Sequence, residues 1–172
     1  QALTMGWTER FSYFFQPVDA SFLAYFRIAF GSIMVWETWR FIQNDWVEYF
    51  FAGKEFYFTY WPLDFLRPWP QDLMYIHLVL MGIFASFMLL GFCYRISATA
   101  FFLMITCLFL LEQARYLNHL YLVCLLSFLM IFLPANRSFS LDALLRPSIK
   151  AVTVPAWSLW LLRLQIAVPM FF

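Results

Sequence analysis

The sequence predicts an all-α integral membrane protein, a bundle of about five transmembrane helices with an aromatic interfacial segment between the first two. Three observations lead to this fold class. Hydrophobic residues make up 64% of the 172 positions and charged residues only 12%, far from the balance of a soluble domain. The mean hydropathy is +0.73. Aromatic residues reach 23%, which is typical of helical membrane proteins with Trp and Tyr belts at the lipid–water interfaces.

Five apolar stretches approach the roughly 20 residues that a membrane span requires. Residues 73–94 contain no Asp, Glu, Lys or Arg and form the clearest candidate, and residues 96–111 and 116–136 are also free of these charges. Residues 20–36 and 151–172 each contain one arginine. Gly91 and the "CYRIS" that follows Phe92 predict a tight turn between the second and third helices, and the proline of "LPANRS" predicts the end of the fourth. Asp19 is placed to cap the first helix.

The connection over residues 41–72 is aromatic, contains several prolines and shows no helical period. We predict an interfacial cap on the bundle, where Trp and Tyr rings bridge lipid and water. The alternative is a lid over an apolar ligand site. The domain organisation that we predict is an interfacial N-terminal segment (residues 1–18) and a transmembrane domain (residues 19–172) that is truncated at its C-terminus.

Composition also bears on partners and topology. The net charge of +1 and the lack of a basic run give no signal for nucleic acid, and the lipid membrane is the predicted partner. With the N-terminus inside, the inner segments hold five basic residues and the outer ones four, which leans toward that orientation under the positive-inside rule. The inner five are Arg10, Arg95, Arg137, Arg146 and Lys150.

A polar break separates the third and fourth predicted helices. One continuous helix over residues 98–133 would be about 54 Å long, well beyond the roughly 30 Å hydrocarbon core, so the chain must reverse near residues 113–119. If the third helix continues one turn, four polar side chains share a face, since positions three, four and seven apart align: Glu112, Arg115, Tyr116 and His119. The alternative is a solvated hairpin with a capping Asn118 and an incidental His119. With His77 as the other histidine, no metal site is predicted.

Arg27 and Arg163 lie inside predicted spans. An arginine in a span is costly unless it faces protein or water, so we expect both to point into the bundle. Two roles stay open for them: an internal salt bridge, for example to Glu37 or Glu112, or a contact with a substrate.

Several motifs occur in an order that resembles the vitamin K-dependent γ-carboxylase family and its bacterial relatives, which share a horizontally transferred transmembrane (HTTM) domain. They are "PVDASFLAYFRIAFG", "LGFCYRISA", "LFLLEQARYLNHLYL", "FLPANRSFSLDALLRP" and "VPAWSLWLLRLQI". The resemblance runs from about Pro17 to the end of the chain. It covers the membrane part; the family continues into further helices and a β-rich C-terminal domain.

The resemblance implies an integral protein of a bacterial inner membrane or the endoplasmic reticulum, and a lyase chemistry. Reduced vitamin K or another quinol is the implied cofactor, without a metal, and a glutamate-containing protein is the implied substrate. Oxygenation of the quinol to an epoxide yields a strong base, which removes the γ-proton of glutamate before CO₂ adds. Such a base requires a dry, apolar pocket.

At the family's initiating base this chain departs from the pattern. Where the animal enzyme has the lysine of "LLDKT", this chain has Gln113 in "LLEQA". A buried lysine can act as a base, whereas an amide only donates and accepts hydrogen bonds. By resemblance, Asn118 would orient a ligand oxygen with Tyr116 near it, and Glu112 and Arg115 would set the local field. His119 is the remaining imidazole, a side chain suited to proton transfer near neutral pH.

Three functional outcomes follow from the loss of the lysine. His119 or Glu112 serves as the base of a quinol-dependent enzyme with altered chemistry. In the second outcome, the protein binds a quinone without carboxylating glutamate. In the third, the bundle is a non-catalytic structural subunit of a larger membrane protein complex.

Overall fold

The computed structural model describes residues 13–51, 68–111 and 118–171 of the chain. Most of them are helical. The helices are α1 (Ser21–Gln43), α2 (Trp46–Phe51), α3 (Gln71–Leu90), α4 (Tyr94–Leu110), α5 (Asn118–Phe132), α6 (Leu141–Leu145) and α7 (Trp157–Phe171), with a 3₁₀ turn at Pro147–Ile149. Two strands, β1 (Pro17–Asp19) and β2 (Thr153–Pro155), complete the described structure.

Helix α1 is longer than the sequence indicates. The prediction ended it near residue 36 because charged residues follow, but it continues to Gln43. Glu37 and Arg40 are compatible with a continuous helix because they pair at 2.7 Å on its exposed side, three residues apart. Asp19 is not the N-cap residue that the sequence predicted, because that position is held by Ala20; its carboxylate accepts the Ser21 amide at 2.8 Å in an Asx turn just before the helix.

The second and third predicted spans correspond to α3 and α4, joined by a turn at Gly91. Gly91 adopts a left-handed conformation (φ 66°) at the C-terminus of α3, as glycine does at many helix ends. Within the described residues, α3 is the one helix whose length and apolar composition suffice for a membrane crossing. At 1.5 Å per residue, the 17-residue α4 and the 15-residue α5 reach only about 26 and 22 Å. About five spans therefore remains a prediction.

The two short strands depart from the all-α prediction. They pair antiparallel with Val18 opposite Val154, and so join the residues before α1 to those before α7. The Gly91 turn lies at the same end, since the Asp142 amide donates to the Gly91 carbonyl at 3.0 Å. We call this the sheet end of the bundle; the opposite end, where α4 stops and α5 begins, is the corner end.

The main helices pack as antiparallel neighbours. Leu89 lies against Gly31 and Thr38 against Gly82, so α1 and α3 run in opposite directions. Between α4 and α5, the Tyr94 hydroxyl donates to the Met130 carbonyl at 2.6 Å. The interior is apolar and dense, with large side chains that are almost fully buried: Leu23, Met74, Leu78, Met88, Phe101, Leu111, Met130 and Leu133.

The connection after α1 contains a helix that the sequence did not predict. Residues Trp46–Phe51 form α2, although the segment shows no helical period. The Tyr75 hydroxyl of α3 donates to the Asp45 carboxylate at 3.2 Å and ties the end of α1 to α3. Residues 52–67, which carry the rest of the predicted interfacial cap, lie outside the described residues.

Candidate functional site

The predicted helix corner is described only at its two edges. Glu112, Gln113, Arg115 and Tyr116 lie outside the described residues. At one edge Leu111 is fully buried against the bundle interior. At the other, α5 begins at Asn118, and His119 is exposed in its first turn. The last described residue before the corner is therefore buried, and the first side chain placed after it is exposed.

His77 lies in the half of the bundle nearer this corner. It is 8% exposed, and its Nε2 lies 3.1 Å from the Met104 carbonyl oxygen of α4. Because a carbonyl only accepts, Nε2 must carry the proton in this bond, which leaves Nδ1 as the acceptor nitrogen of a neutral ring. The Trp69 ring packs beside it, with centroids 5.2 Å apart. From the sequence His77 was considered only as a metal ligand, although it lies in the longest stretch without Asp, Glu, Lys or Arg.

Arg27 is the most deeply buried charged side chain among the described residues, with no exposed surface. Its Nη2 donates to the Phe139 carbonyl at 2.5 Å, while Nε and Nη1 have no hydrogen-bond partner within the described structure. Glu37 does not pair with it, since that carboxylate pairs with Arg40. Gly91 packs so closely on the guanidinium that a Cβ there would overlap Nη1. Arg27 therefore fastens α1 to the sheet-end loops.

Asp142 is the acidic residue near Arg27. Its carboxylate accepts the backbone amides of Cys93 (2.8 Å) and Tyr94 (3.0 Å) and the side-chain amide of Asn136 (3.1 Å). Partial burial raises the pKa of this carboxyl, but the three hydrogen bonds outweigh it and hold the pKa below its ordinary value. The amides belong to the first turn of α4, where a negative charge is favoured by the helix dipole. The hydrogen bonds of Asp142 therefore stabilise the fold at the start of α4.

Arg163 does not point into the bundle. It is exposed on α7, and its guanidinium lies 5.4 Å from the centre of the Trp160 ring. The sequence expectation placed it inside because a charge in hydrocarbon is costly. In the structure a ring on the preceding helical turn covers one face of the cation instead.

An apolar groove of about 350 Å³ runs between α1 and α3 on the outside of the bundle. Its two hydroxyls are already engaged, because Thr38 donates to the Met34 carbonyl and Ser86 to the Gly82 carbonyl, both at 2.8 Å. Thr38 fits against α3 because Gly82 has no side chain. The remaining lining is hydrocarbon, including Val35, Ile42, Leu78, Val79, Ile83 and Phe87.

Among the side chains in residues 13–51, 68–111 and 118–171 that can be placed, no group of three or more His, Cys, Asp or Glu residues is arranged to hold a metal ion.

Comparison with known proteins gives the family. No solved structure matches the chain. The family model of the HTTM domain matches residues 15–172, which is all but the first 14 residues. The protein therefore belongs to the HTTM-domain family, with which the vitamin K-dependent carboxylases are associated.

Proposed function

We propose that this protein is a γ-carboxylase-like membrane protein that binds a quinol at the helix corner formed by residues 112–119. The observation that carries the proposal is the motif "LLEQARYLNH", which retains Glu112, Arg115, Asn118 and His119 in a chain of the HTTM family. A quinol presents two hydroxyls on an apolar ring. Asn118 would hold one of them by a hydrogen bond, and His119 would accept its proton.

The described part of the bundle supports such a ligand by the buried apolar side chains next to the corner. The corner adjoins Leu111, which is fully buried, and the interior behind it is lined by Ile105 and Leu108. Water would quench a strongly basic intermediate, so a site of this chemistry has to exclude it. The ring of a lipid-soluble quinol fits hydrocarbon surroundings of this kind, and its tail would remain in the bilayer.

Gln113 limits the reaction that we propose. An amide cannot take a proton from the quinol, so the step that starts glutamate carboxylation lacks its usual base. We propose quinol binding as the retained function, with His119 or Glu112 as the group able to accept the proton.

The first experiment measures bound quinone. Lipids extracted from the purified full-length protein are analysed by mass spectrometry, and quinone affinity is measured by quenching of tryptophan fluorescence in nanodiscs. If the ligand hydrogen bonds of Asn118 and His119, about 1 kcal/mol each, are lost, an Asn118→Ala, His119→Ala variant binds about 30-fold more weakly. Lys150→Gln, at the sheet end, is the matched control and keeps its affinity. Absence of quinone from the wild-type extract together with no quenching refutes the proposal.

A second experiment restores the missing base. Gln113→Lys should give quinol epoxidation and incorporation of labelled CO₂ into a glutamate peptide above the wild-type rate, because a buried lysine can lose its proton. Gln113→Arg is the control, since an arginine stays protonated. Equal rates in both variants would mean that the corner does not position a quinol.

The loss of the lysine also favours a second candidate, a non-catalytic subunit of a larger membrane complex. A subunit of this kind would co-purify with other membrane proteins in fixed ratio and carry no quinone. The lipid extract and the composition of the purified sample therefore separate the two functions.

A further inference from the structure

The loop between α5 and α7 at the sheet end is held in a fixed conformation by hydrogen bonds. We call residues 137–152 the sheet-end loop. Arg27 holds it through the Phe139 carbonyl, and Asp142 holds it through the first amides of α4. The Ala151 amide donates to the Arg137 carbonyl at 3.2 Å and closes the loop on itself. The side chains on its outer surface are therefore presented by a fixed backbone.

That outer surface is strongly apolar. Leu144 is 75% exposed, Leu145 67% and Val152 78%, while Ala143, between the pinned Asp142 and Leu144, is buried against the bundle. Phe139 is also exposed and stacks on Tyr25 of α1. Exposed large aliphatic side chains grouped on one rigid loop indicate a surface that is covered by another apolar phase.

The same loop is positively charged on its outside. Arg137, Arg146 and Lys150 are exposed, and Asp142 is the only acidic residue between positions 133 and 152. Its carboxylate accepts backbone amides and also attracts Arg146, but one negative charge offsets only part of the three positive charges. The nearest acid on the paired strand, Asp19, is engaged with the Ser21 amide in the same way. Arg95, exposed in the first turn of α4, adds a further cation at this end.

We infer that the sheet-end loop is a binding surface for anionic phospholipid. Leu144, Leu145 and Val152 enter the boundary of the acyl chains, and Arg146 and Lys150 bind the net negative charge of an anionic headgroup. An apolar surface flanked by cations is the combination that interfacial segments use on anionic leaflets. The charge pattern favours a lipid over an apolar protein partner because the exposed cations lie beside the exposed aliphatic residues. This inference is independent of the quinol proposal, since it concerns the other end of the bundle.

The test compares lipid headgroups on the purified full-length protein. Native mass spectrometry in detergent measures the dissociation constants of dioctanoyl-phosphatidylglycerol and dioctanoyl-phosphatidylcholine, with inorganic phosphate as a further ligand. Each basic residue near an anionic surface contributes about fivefold, so Arg146→Gln with Lys150→Gln should weaken phosphatidylglycerol binding about 25-fold and leave phosphatidylcholine unchanged. Inorganic phosphate should bind far more weakly than the lipid, because it lacks the chains that contact Leu144 and Leu145.

The matched control removes two positive charges elsewhere. Arg40→Gln with Arg163→Gln changes exposed arginines outside the loop and should retain the preference for phosphatidylglycerol. Equal binding of the two lipids by the wild-type protein overturns the inference, as does a preference that survives loss of Arg146 and Lys150. The inference is also overturned if another protein co-purifies with the wild type and is released by Leu144→Ser with Leu145→Ser, because the surface would then bind a protein partner.

Discussion

Replacing Gly91 with alanine tests how the sheet end is held together. Gly91 has a φ of 66°, and a Cβ there would overlap Nη1 of Arg27 and lie 2.5 Å from the Ser140 Cβ. A left-handed alanine costs about 1–2 kcal/mol. Displacement of the guanidinium also breaks its bond to the Phe139 carbonyl, a charge-assisted bond of about 1.5–3 kcal/mol. We therefore expect Gly91→Ala to lower the free energy of unfolding by about 2.5–5 kcal/mol.

The assay is reversible unfolding in mixed micelles with increasing SDS, followed by circular dichroism. Gly82→Ala is the matched control, because a Cβ there would lie 3.2 Å from the Thr38 Cγ2, a tight contact that is far milder than the overlap at Gly91, and alanine is the better helix former. We expect this control to stay within about 1 kcal/mol of the wild type.

A double-mutant cycle separates the two causes. In an Arg27→Met background the overlap with Nη1 is gone, whereas the left-handed conformation and the 2.5 Å contact with the Ser140 Cβ remain. Gly91→Ala should therefore cost less than in the wild type by the about 1.5–3 kcal/mol of the guanidinium bond. The reasoning is refuted if Gly91→Ala costs the same in both backgrounds, or no more than Gly82→Ala.

Three further substitutions test the remaining contacts in the same unfolding assay. Asp142→Asn should lower the free energy of unfolding by about 1 kcal/mol after allowance for solvent screening. Because the pKa of this carboxyl is lowered in the folded protein, its stabilising contribution is complete above its ordinary pKa of 3.8 and is lost as the pH falls through the folded pKa. The free energy of unfolding of the variant should therefore fall less steeply than that of the wild type between roughly pH 5 and 2. An unchanged pH dependence would contradict this. His77→Phe keeps the ring packing but loses the bond to the Met104 carbonyl, and should cost about 0.5–1.5 kcal/mol; no loss would show that the bond is dispensable. Arg163→Gln should change stability by less than about 1 kcal/mol, since its contact with Trp160 is exposed, and a larger loss would indicate a buried partner.

Apolar runs and turn residues predicted the helices near the Gly91 turn. The run over residues 73–94 became α3 and the turn after it, because an uncharged stretch that ends in glycine has few other conformations available in a membrane. The end of α1 was predicted seven residues early. Charged residues were taken as the end of the span, but an arginine–glutamate pair on the exposed face lets the helix continue.

The contacts of Arg27 were beyond sequence reasoning. A buried arginine suggests an acidic partner, yet its hydrogen bond goes to the carbonyl of Phe139, a residue with a φ of 48° that lies 112 positions away. No local pattern encodes a backbone oxygen aimed by such a turn. The pairing of the three-residue strands could not be predicted from the sequence either, because Pro17 and Pro155 at their ends are poor strand formers. The predicted corner residues 112–117 stay predictions.

The pairing of β1 with β2 has a consequence for how the chain assembles during synthesis. β1 leaves the ribosome more than 130 residues before its partner, so its backbone groups lack that partner while α1 to α5 are synthesised. Contacts between such distant segments form late because a long loop must close first. The first and last described helices are joined only at that final step. Until then the sheet end of the bundle lacks the contact that ties the start of the described chain to its last helix.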